Sequence, residues 1–333
     1  MNLKRKHHFV SQFYLRNWYD SNEKIIVWDG HKKISSKSES IGFQRDLYKL
    51  ATLTNKQYEL LDKYLEDWEL KKTSIYKLSF KYILEAQSIF SNGFKFVNPK
   101  DLDTIDELNS IEKEFSTNIV EERLSRQESL FSQVLEKLTS KSINMLSLND
   151  YSYLVHFIVF QYMKTPKKIK HLISITEESE VFREANFNNE QYKTFWLIFT
   201  QCFQERVYLS IFKQLYTIKI YSNTSNINFI TSDDPCFNQR INENGFLIQL
   251  PISPKIMIEL APNTYDDDFT KTAVDYYSLS SDNANEVFLS DSFVTFDNIE
   301  EEQVIDLNQK IFSNRDRFIY AQQVDDISTL ETV

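Results

Sequence analysis

The sequence predicts an α+β protein with a small N-terminal β element, a long helical middle and a C-terminal, mostly antiparallel β-sheet. Three observations support this class: a β-forming run near residue 25, apolar residues at helical spacing from about residue 55, and several short β-rich segments after residue 217. We expect a single large α+β domain over residues 1–333, with a β-rich N-terminal element (1–50), a helical region (55–216) and a β-rich region (217–333).

The N-terminal element is predicted to be a hairpin. Residues 24–28 (Lys-Ile-Ile-Val-Trp) favour a strand, Asp29-Gly30 favours a turn, and the polar segment 32–40 supplies a second arm. From residue 55 the apolar residues recur every three to four positions. This spacing predicts a helix to about residue 85, with Asn55 as its N-cap.

The rest of the middle region is predicted to be mainly helical. Residues 101–118 are acidic and polar and indicate a mobile helix or a connection, whereas residues 120–139 are amphipathic. Residues 151–164 are apolar on almost every side, so we expect a buried helix that Ser147 opens and that Pro166 interrupts or ends.

After a last long helix at residues 187–216, the chain becomes β-rich. Runs of β-branched and aromatic residues between turn formers predict short strands. They fall at residues 217–221, 226–232, 245–250, 255–261 and 318–322, with a further piece at 273–280 and a helix at 283–290.

Charge and glycine content exclude several classes of protein. The net charge of -10 argues against a general nucleic-acid coat, although Lys4-Arg5-Lys6 and the lysines of 164–170 form local basic clusters. The four glycines are far apart in sequence, so the glycine-rich loops of P-loop and dinucleotide-binding proteins are absent. The Gly-x-Ser-x-Gly motif of serine hydrolases is absent as well.

Cysteine content and hydropathy bear on the compartment. Cys202 and Cys236 are too few for a disulfide framework or a cysteine zinc site. The longest apolar run, residues 153–163, is too short to span a bilayer, and no signal-peptide core follows the N-terminal cations. We therefore expect a cytoplasmic protein that does not enter a membrane.

The paired histidines His7-His8 nominate a first site, because imidazole can bind a metal or transfer a proton near neutral pH. One of them can serve as a metal ligand or general base while its neighbour orients it. In a helical conformation, His8, Gln12 and Arg16 share a face that suits an anionic ligand such as phosphate. The alternative is a pair of structural histidines beside a solvated arginine.

Two other segments hold candidate residues. Ser232-Asp233-Asp234 follows a predicted strand, and adjacent carboxylates can hold Mg²⁺ or Mn²⁺ in part, although Ser, Asp and Pro also form ordinary turns. On the buried helix, Gln161 and Lys164 need partners or a ligand, as does His156. The alternative there is a core histidine and a lysine whose ammonium reaches solvent.

Four segments resemble a bacterial family of uncharacterised proteins, a domain of unknown function. Residues 7–18 (His-His-Phe-Val-Ser-Gln-Phe-Tyr-Leu-Arg-Asn-Trp) resemble its opening His-His-x-x-Pro-Gln-x-Tyr-Leu-x-x-Phe. Residues 161–166 are similar to its Gln-x-x-Arg-Thr-Pro, residues 229–235 to its Phe-Ile-Thr-Ser-Asp-Asn-Pro, and residues 250–254 to its Pro-Leu-Ser-Pro. The resemblance implies a bacterial accessory-genome protein with a possible part in phage defence.

This chain departs from the family pattern at three positions within those segments. Ser11 stands where the family has proline, Lys164 where it has arginine, and Asp234 where it has asparagine. The lysine keeps the positive charge but lacks the two-pronged hydrogen bonding of a guanidinium.

Three functions are compatible with these residues. The first is a metal-dependent nuclease or related phosphodiester hydrolase, acting as a toxin or defence effector on nucleic acid, although no recognised nuclease motif is present. The second is a non-enzymatic binding or sensor protein with a protein partner in a defence complex. The third is an NAD-consuming or ADP-ribosyl-transferring enzyme, which no motif supports.

The first hypothesis assigns a role to each candidate residue. Its catalytic residues are His7, His8, Asp233 and Lys164; its substrate-binding residues are Gln12, Arg16, Gln161 and Ser232; and its ligands for Mg²⁺ or Mn²⁺ are Asp233, Asp234 and His8. It requires the imidazoles near the N-terminus and the acidic corner past residue 230 to line one cleft.

Overall fold

A computed structural model describes residues 3–93, 96–140, 146–239, 245–263, 289, 293–328 and 330. The chain divides into two compact units. Unit 1 comprises Met1–His7, Gln44–Gln127 and Pro166–Val207, and unit 2 comprises His8–Phe43, Glu128–Thr165 and Tyr208–Val333. The single-domain organisation expected from the sequence stays a prediction.

The predicted α+β class is confirmed. The helices are α1 (Gln12–Leu15), α2 (Asn55–Asp67), α3 (Lys81–Gly93), α4 (Leu102–Thr139), α5 (Leu148–Met163), α6 (Pro166–Thr176), α7 (Glu180–Ala185), α8 (Asn189–Lys213), α9 (Glu301–Asn314) and α10 (Val324–Ser328). The strands are β1 (Lys6–His8), β2 (Ile25–Trp28), β3 (Lys33–Ser36), β4 (Phe43–Arg45), β5 (Thr217–Asn223), β6 (Thr231–Ser232), β7 (Phe237–Asn238), β8 (Ile248–Ser253), β9 (Ile256–Ala261), β10 (Val294–Ile299) and β11 (Ile319–Ala321).

Unit 2 contains two sheets of four or more strands. The first has the order β10-β5-β9-β8-β7 and is antiparallel except for the parallel pair β10–β5. The second has the order β3-β2-β11-β6 and is antiparallel throughout. The predicted N-terminal hairpin is therefore present as β2–β3, but it shares a sheet with strands from the end of the chain. A short sheet joins β1 and β4.

The core of unit 2 lies between α9 and strands that include β2 and β11. Val304 and Ile311 of α9 pack in one buried cluster with Trp28, Phe229 and Ile319. The sequence reading did not identify α9. Its start has a local signal, because Glu300 and Gln303 form a reciprocal capping box.

The segment 226–232, predicted as one strand, pairs only at β6, and the prediction was too long. The amide of Asn228 donates to Oδ1 of Asp326 at 3.2 Å, and the amide of Ile230 donates to Oδ1 of Asn308 at 3.1 Å. Side chains thus occupy backbone groups that a longer strand would pair with a neighbouring strand.

Helix α5 confirms the predicted buried helix. Ser147 caps it by accepting a hydrogen bond from the amide of Asp150 at 3.1 Å. The break predicted at Pro166 is present, because α5 ends at Met163 and Pro166 begins α6. Proline suits a first helical position, where its missing N–H has no helical partner to lose. Lys164 and Thr165 lie between the two helices.

Unit 1 is built mainly from helices. The helix predicted over residues 55–85 is interrupted: α2 ends at Asp67, Glu69 adopts a positive φ of 54°, and a π-helical turn at Tyr76–Phe80 leads into α3. Its N-cap is Thr54 rather than Asn55, in a capping box with Gln57. An aromatic cluster packs in this unit, with Trp68 half-exposed at its edge. Its members are Tyr64, Trp68, Phe182, Phe195, Trp196, Phe199 and Phe203.

The acidic segment predicted as a mobile helix or connection is the first half of α4, a single helix of 38 residues. The strand and the helix predicted at 273–280 and 283–290 lie outside the described residues, apart from Leu289. Among the residues that the structure describes, no helix is both long and apolar enough to cross a bilayer.

Candidate functional site

Lys164, just after α5, is the centre of a buried polar cluster in unit 2. Its side chain is fully buried, and Nζ donates hydrogen bonds to Oγ of Ser11 at 2.9 Å and to Oε1 of Glu128 at 2.7 Å. The ammonium also lies 4.3 Å from the ring centroid of Phe160. A buried ammonium requires such a carboxylate partner, because desolvation of an unpaired charge is costly.

Ser11 and Glu128 complete this cluster. Ser11 donates through Oγ to Oε1 of Glu128 at 2.7 Å while accepting from Lys164. Ser11 is fully buried, and the Glu128 side chain is 22% exposed. The carboxylate therefore keeps some contact with water, whereas the ammonium and the hydroxyl do not.

A hydrogen bond from Gln161 links the N-terminal segment to α5. Its Nε2 donates to the carbonyl oxygen of Phe9 at 2.8 Å, and both the residue and its hydrogen bond are buried. The polar group predicted to need a partner or a ligand thus has a main-chain partner.

Asp234 lies in the acidic corner after β6 and is held by three neighbours. Its Oδ1 accepts from Oγ1 of Thr165 at 2.9 Å, and its Oδ2 accepts from Nδ2 of Asn314 at 3.3 Å. Its amide donates to Oγ of Ser232 at 3.2 Å. Because Thr165 follows Lys164, the acidic corner and the lysine cluster belong to one network within unit 2.

Asp233 faces the main chain before β11. Its carboxylate accepts from the amides of Asp316, Arg317 and Phe318 at 3.0, 2.9 and 3.0 Å. These N–H groups favour the charged form, but burial penalises it more and raises the pKa of Asp233 to about 6.

The N-terminal aromatic residues join the same network. Tyr14 donates through its hydroxyl to the carbonyl oxygen of Pro251 at 2.6 Å and lies 2.6 Å from Oγ1 of Thr231. Trp18 donates through Nε1 to the carbonyl oxygen of Phe229 at 3.2 Å. The four segments that resemble the bacterial family therefore meet through hydrogen bonds between their own residues.

The two histidines occupy different surroundings. His7, in unit 1, accepts from the amide of Tyr48 at 2.7 Å through Nδ1, and its Nε2 pairs with the carbonyl oxygen of Lys4. One neutral tautomer satisfies both bonds, and burial lowers the pKa of His7. His8 belongs to unit 2, and its Nδ1 lies 3.3 Å from Nε2 of Gln12.

His8 and Asp233 thus contact different groups. The imidazole of His8 pairs with the side chain of Gln12, whereas the carboxylate of Asp233 accepts from the backbone amides of residues 316–318. Arg16 begins a short 3₁₀ turn and is exposed, and His8 ends β1, so the shared helical face predicted for them is absent. His156 stacks on Tyr208 with a centroid distance of 4.5 Å, as a histidine of an aromatic core does.

The predicted metal ligands were tested for their fit to Mg²⁺ or Mn²⁺. Both carboxylates of the acidic corner accept hydrogen bonds from N–H or O–H donors, which occupy oxygen lone pairs that a hard cation would need. Within the described ranges, no group of three or more His, Cys, Asp and Glu residues is placed to hold a metal ion. The carboxylates of Asp233 and Asp234 therefore do not fit Mg²⁺ or Mn²⁺.

Sequence reasoning missed three members of this network: Glu128, Thr165 and Asn314. Glu128 lies on an amphipathic stretch where a carboxylate is expected to be solvated. Thr165 had a signal, because it lies inside a motif already singled out between Lys164 and Pro166. No sequence feature connects Asn314 with the acidic corner.

Unit 1 contains a second candidate site, a cavity of about 400 Å³ between α3, the preceding π-helical turn and α4. Ile83, Ala86 and Ile119 supply apolar wall, and Arg123 and Arg126 supply positive charge. Glu122 also lines the cavity, and its carboxylate forms an ion pair with Lys4 at 3.3 Å. The volume lies within the range of small-molecule sites. No sequence motif marked this cavity.

Comparisons with known proteins give one result. A family model described as "Protein of unknown function (DUF4238)" matches residues 6–325, which is nearly the whole chain. Neither the curated proteins nor the solved structures contained a match.

Proposed function

This chain belongs to the family described as protein of unknown function DUF4238, and on that premise we propose that it is a non-enzymatic protein that binds a ligand as a sensor. The observation that carries the proposal is a contrast between two sites. In unit 2 the candidate catalytic groups bond to one another and to the main chain, whereas unit 1 offers a cavity of about 400 Å³.

The contrast matters because catalysis requires side chains that can reach a substrate. Gln161 and Lys164 are buried, and their hydrogen bonds hold Phe9 and Ser11 in place. Such a network stabilises a fold by satisfying buried polar groups. The cavity of unit 1 instead combines apolar wall with positive charge, which is the usual make-up of a binding site.

The resemblance to bacterial accessory-genome proteins supports a place for this sensor in a defence system, where a protein partner would receive the signal. That part of the proposal rests on the resemblance alone.

The proposal is tested by native mass spectrometry of the full-length chain purified from cells. We expect a small molecule that remains bound in gentle conditions and leaves on denaturation, and that raises the melting temperature when added back, as mass action requires. Turnover of nucleic acid by the purified chain, lost in a folded Asp233→Asn variant, would overturn it.

The phosphodiester hydrolase stays as a second candidate because of one observation. Asp233 has a pKa raised to about 6, and perturbed carboxylates occur often at catalytic sites. Incubation of the protein with plasmid DNA and total RNA, with and without Mg²⁺ or Mn²⁺, tests this candidate. A metal-stimulated cleavage that Asp233→Asn removes would favour it over the sensor.

A further inference from the structure

Arg123 is the cation at the inner wall of the unit 1 cavity. Its Nη1 donates to Oε1 of Gln201 at 2.7 Å, and the guanidinium carbon lies 5.6 Å from the ring centroid of Phe80. Its Nη2 is buried and has no hydrogen-bond partner among the described residues. Buried donors are nearly always paired, so this N–H group can take a further acceptor.

The positive charge of Arg123 also lacks an ion-pair partner among the described residues. The nearby carboxylate of Glu205 is engaged elsewhere, since it accepts from the amides of Ser74 and Ile75 at 3.1 and 2.6 Å. Burial lowers the pKa of Arg123 to about 10, so the guanidinium remains charged at neutral pH. The charge of Glu205 favours the charged guanidinium without forming an ion pair with it, and an anion in direct contact with Arg123 would favour it further.

Buried glutamines around Arg123 show the same deficit of partners. Gln201 and Gln204 of α8 are fully buried, yet Nε2 of each and Oε1 of Gln204 have no partner in the described part of the chain. Gln127, one helical turn after Arg123 on α4, has an unpartnered buried Oε1. These amides do not supply a negative charge, so they cannot neutralise the guanidinium themselves.

The cavity wall determines what kind of anion fits. Ile83 and Ala86 of α3 and Phe115 and Ile119 of α4 make the wall apolar beside the guanidinium. The side chain of Tyr82, 60% exposed, lies at the opening. Inorganic phosphate would leave this apolar surface uncovered, and a neutral apolar molecule would leave Arg123 without a partner.

We propose that the cavity binds a small organic anion, with a carboxylate or phosphate group on Arg123 and an apolar body against Ile83, Ala86 and Ile119. Gln201 acts as a positioning residue, because its Oε1 accepts from Nη1 of Arg123 and holds the guanidinium in place. The inference rests on the proposed sensor function and names the class of its ligand.

The experiment is isothermal titration calorimetry of the full chain with four probes. Sodium octanoate and phenyl phosphate combine an anion with an apolar body, 1-octanol removes the charge, and inorganic phosphate removes the apolar body. We expect one site per chain for octanoate or phenyl phosphate. We also expect binding weaker by about tenfold or more for octanol and inorganic phosphate, since a charge-assisted hydrogen bond is lost in one case and apolar burial in the other.

Two variants locate the site. Arg123→Met removes one of the two arginines that line the cavity and should reduce the preference for octanoate over octanol by about tenfold or more. Gln201→Glu gives Arg123 an internal carboxylate, so octanoate affinity should fall by about tenfold or more while the fold is kept. Arg206→Met, which removes a half-exposed arginine of the same unit, is the matched control and should leave octanoate affinity unchanged.

The inference is overturned if the wild-type chain binds neither anion, if octanoate and octanol bind it equally, or if Gln201→Glu retains full octanoate affinity. Gln201→Glu keeps the test valid should Arg123→Met fail to fold. If these probes do not bind, a ligand found by native mass spectrometry still supports the sensor function. Conversely, nucleic-acid turnover together with Arg123-dependent octanoate binding would reject the sensor function and keep the anion site.

Discussion

Replacing Lys164 with methionine removes the ammonium at the centre of the unit 2 network while keeping a long, apolar side chain. Two acceptors lose their donor: Oε1 of Glu128 at 2.7 Å and Oγ of Ser11 at 2.9 Å. We expect the Lys164→Met protein to fold with a lower free energy of unfolding. A surface lysine would give almost no change.

The magnitude follows from the burial of each partner. Breaking a buried ion pair by deleting one member costs about 3–5 kcal/mol. Glu128 is 22% exposed and keeps water on one side, so Lys164→Met should cost about 2–3 kcal/mol, less than that range. Glu128→Gln removes the carboxylate that accepts from a fully buried ammonium and should cost about 3–5 kcal/mol.

The assay is urea denaturation of the two single variants and the double variant at neutral pH, read by tryptophan fluorescence and circular dichroism. The double variant should cost about 2 kcal/mol less than the sum of the singles, because the second substitution no longer leaves a charge unpaired. Additive effects, or a cost of Lys164→Met below about 0.5 kcal/mol, would refute the reasoning.

Three other substitutions test separate parts of the account. Asp233→Asn should change the pH dependence of stability: the folded pKa of about 6 exceeds the unfolded value, so wild-type stability should fall by about 2 kcal/mol relative to the variant as pH rises from about 4 to about 6. Equal pH profiles in urea would contradict this. Tyr14→Phe removes the hydroxyl shared by Thr231 and Pro251 and should lower the free energy of unfolding by about 1–3 kcal/mol. Ser147→Ala removes the α5 cap and should cost about 1 kcal/mol, whereas Ser147→Thr, which keeps the capping hydroxyl, should cost little.

Elements with strong local signals could be predicted from the sequence. The β2–β3 hairpin, the start of α5 at Ser147 and the strands β5 and β9 follow from apolar spacing, turn residues and caps. Boundaries that depend on tertiary partners could not be predicted from the sequence. The strand predicted at 226–232 shortens to β6 because Asp326 and Asn308, distant in sequence, take its backbone groups.

The candidate site shows the same division. Sequence reasoning singled out Gln161, Lys164 and Asp234 as candidate site residues, and the structure gives each of them hydrogen-bond partners. It could not predict which partners, since Lys164 meets Ser11 and Glu128 across 153 and 36 positions of sequence. Arg123 was missed entirely, because an arginine in a long amphipathic helix is expected to be solvated.

The central claim is that the acidic corner and the lysine cluster hold unit 2 together and catalyse nothing. The most direct measurement compares wild type with folded Asp233→Asn and Lys164→Met proteins in a nucleic-acid cleavage assay with Mg²⁺ or Mn²⁺, alongside urea denaturation of the same preparations. We predict altered unfolding free energies and no cleavage by any of the three. Cleavage by wild type that disappears in a variant of unchanged stability would contradict the account.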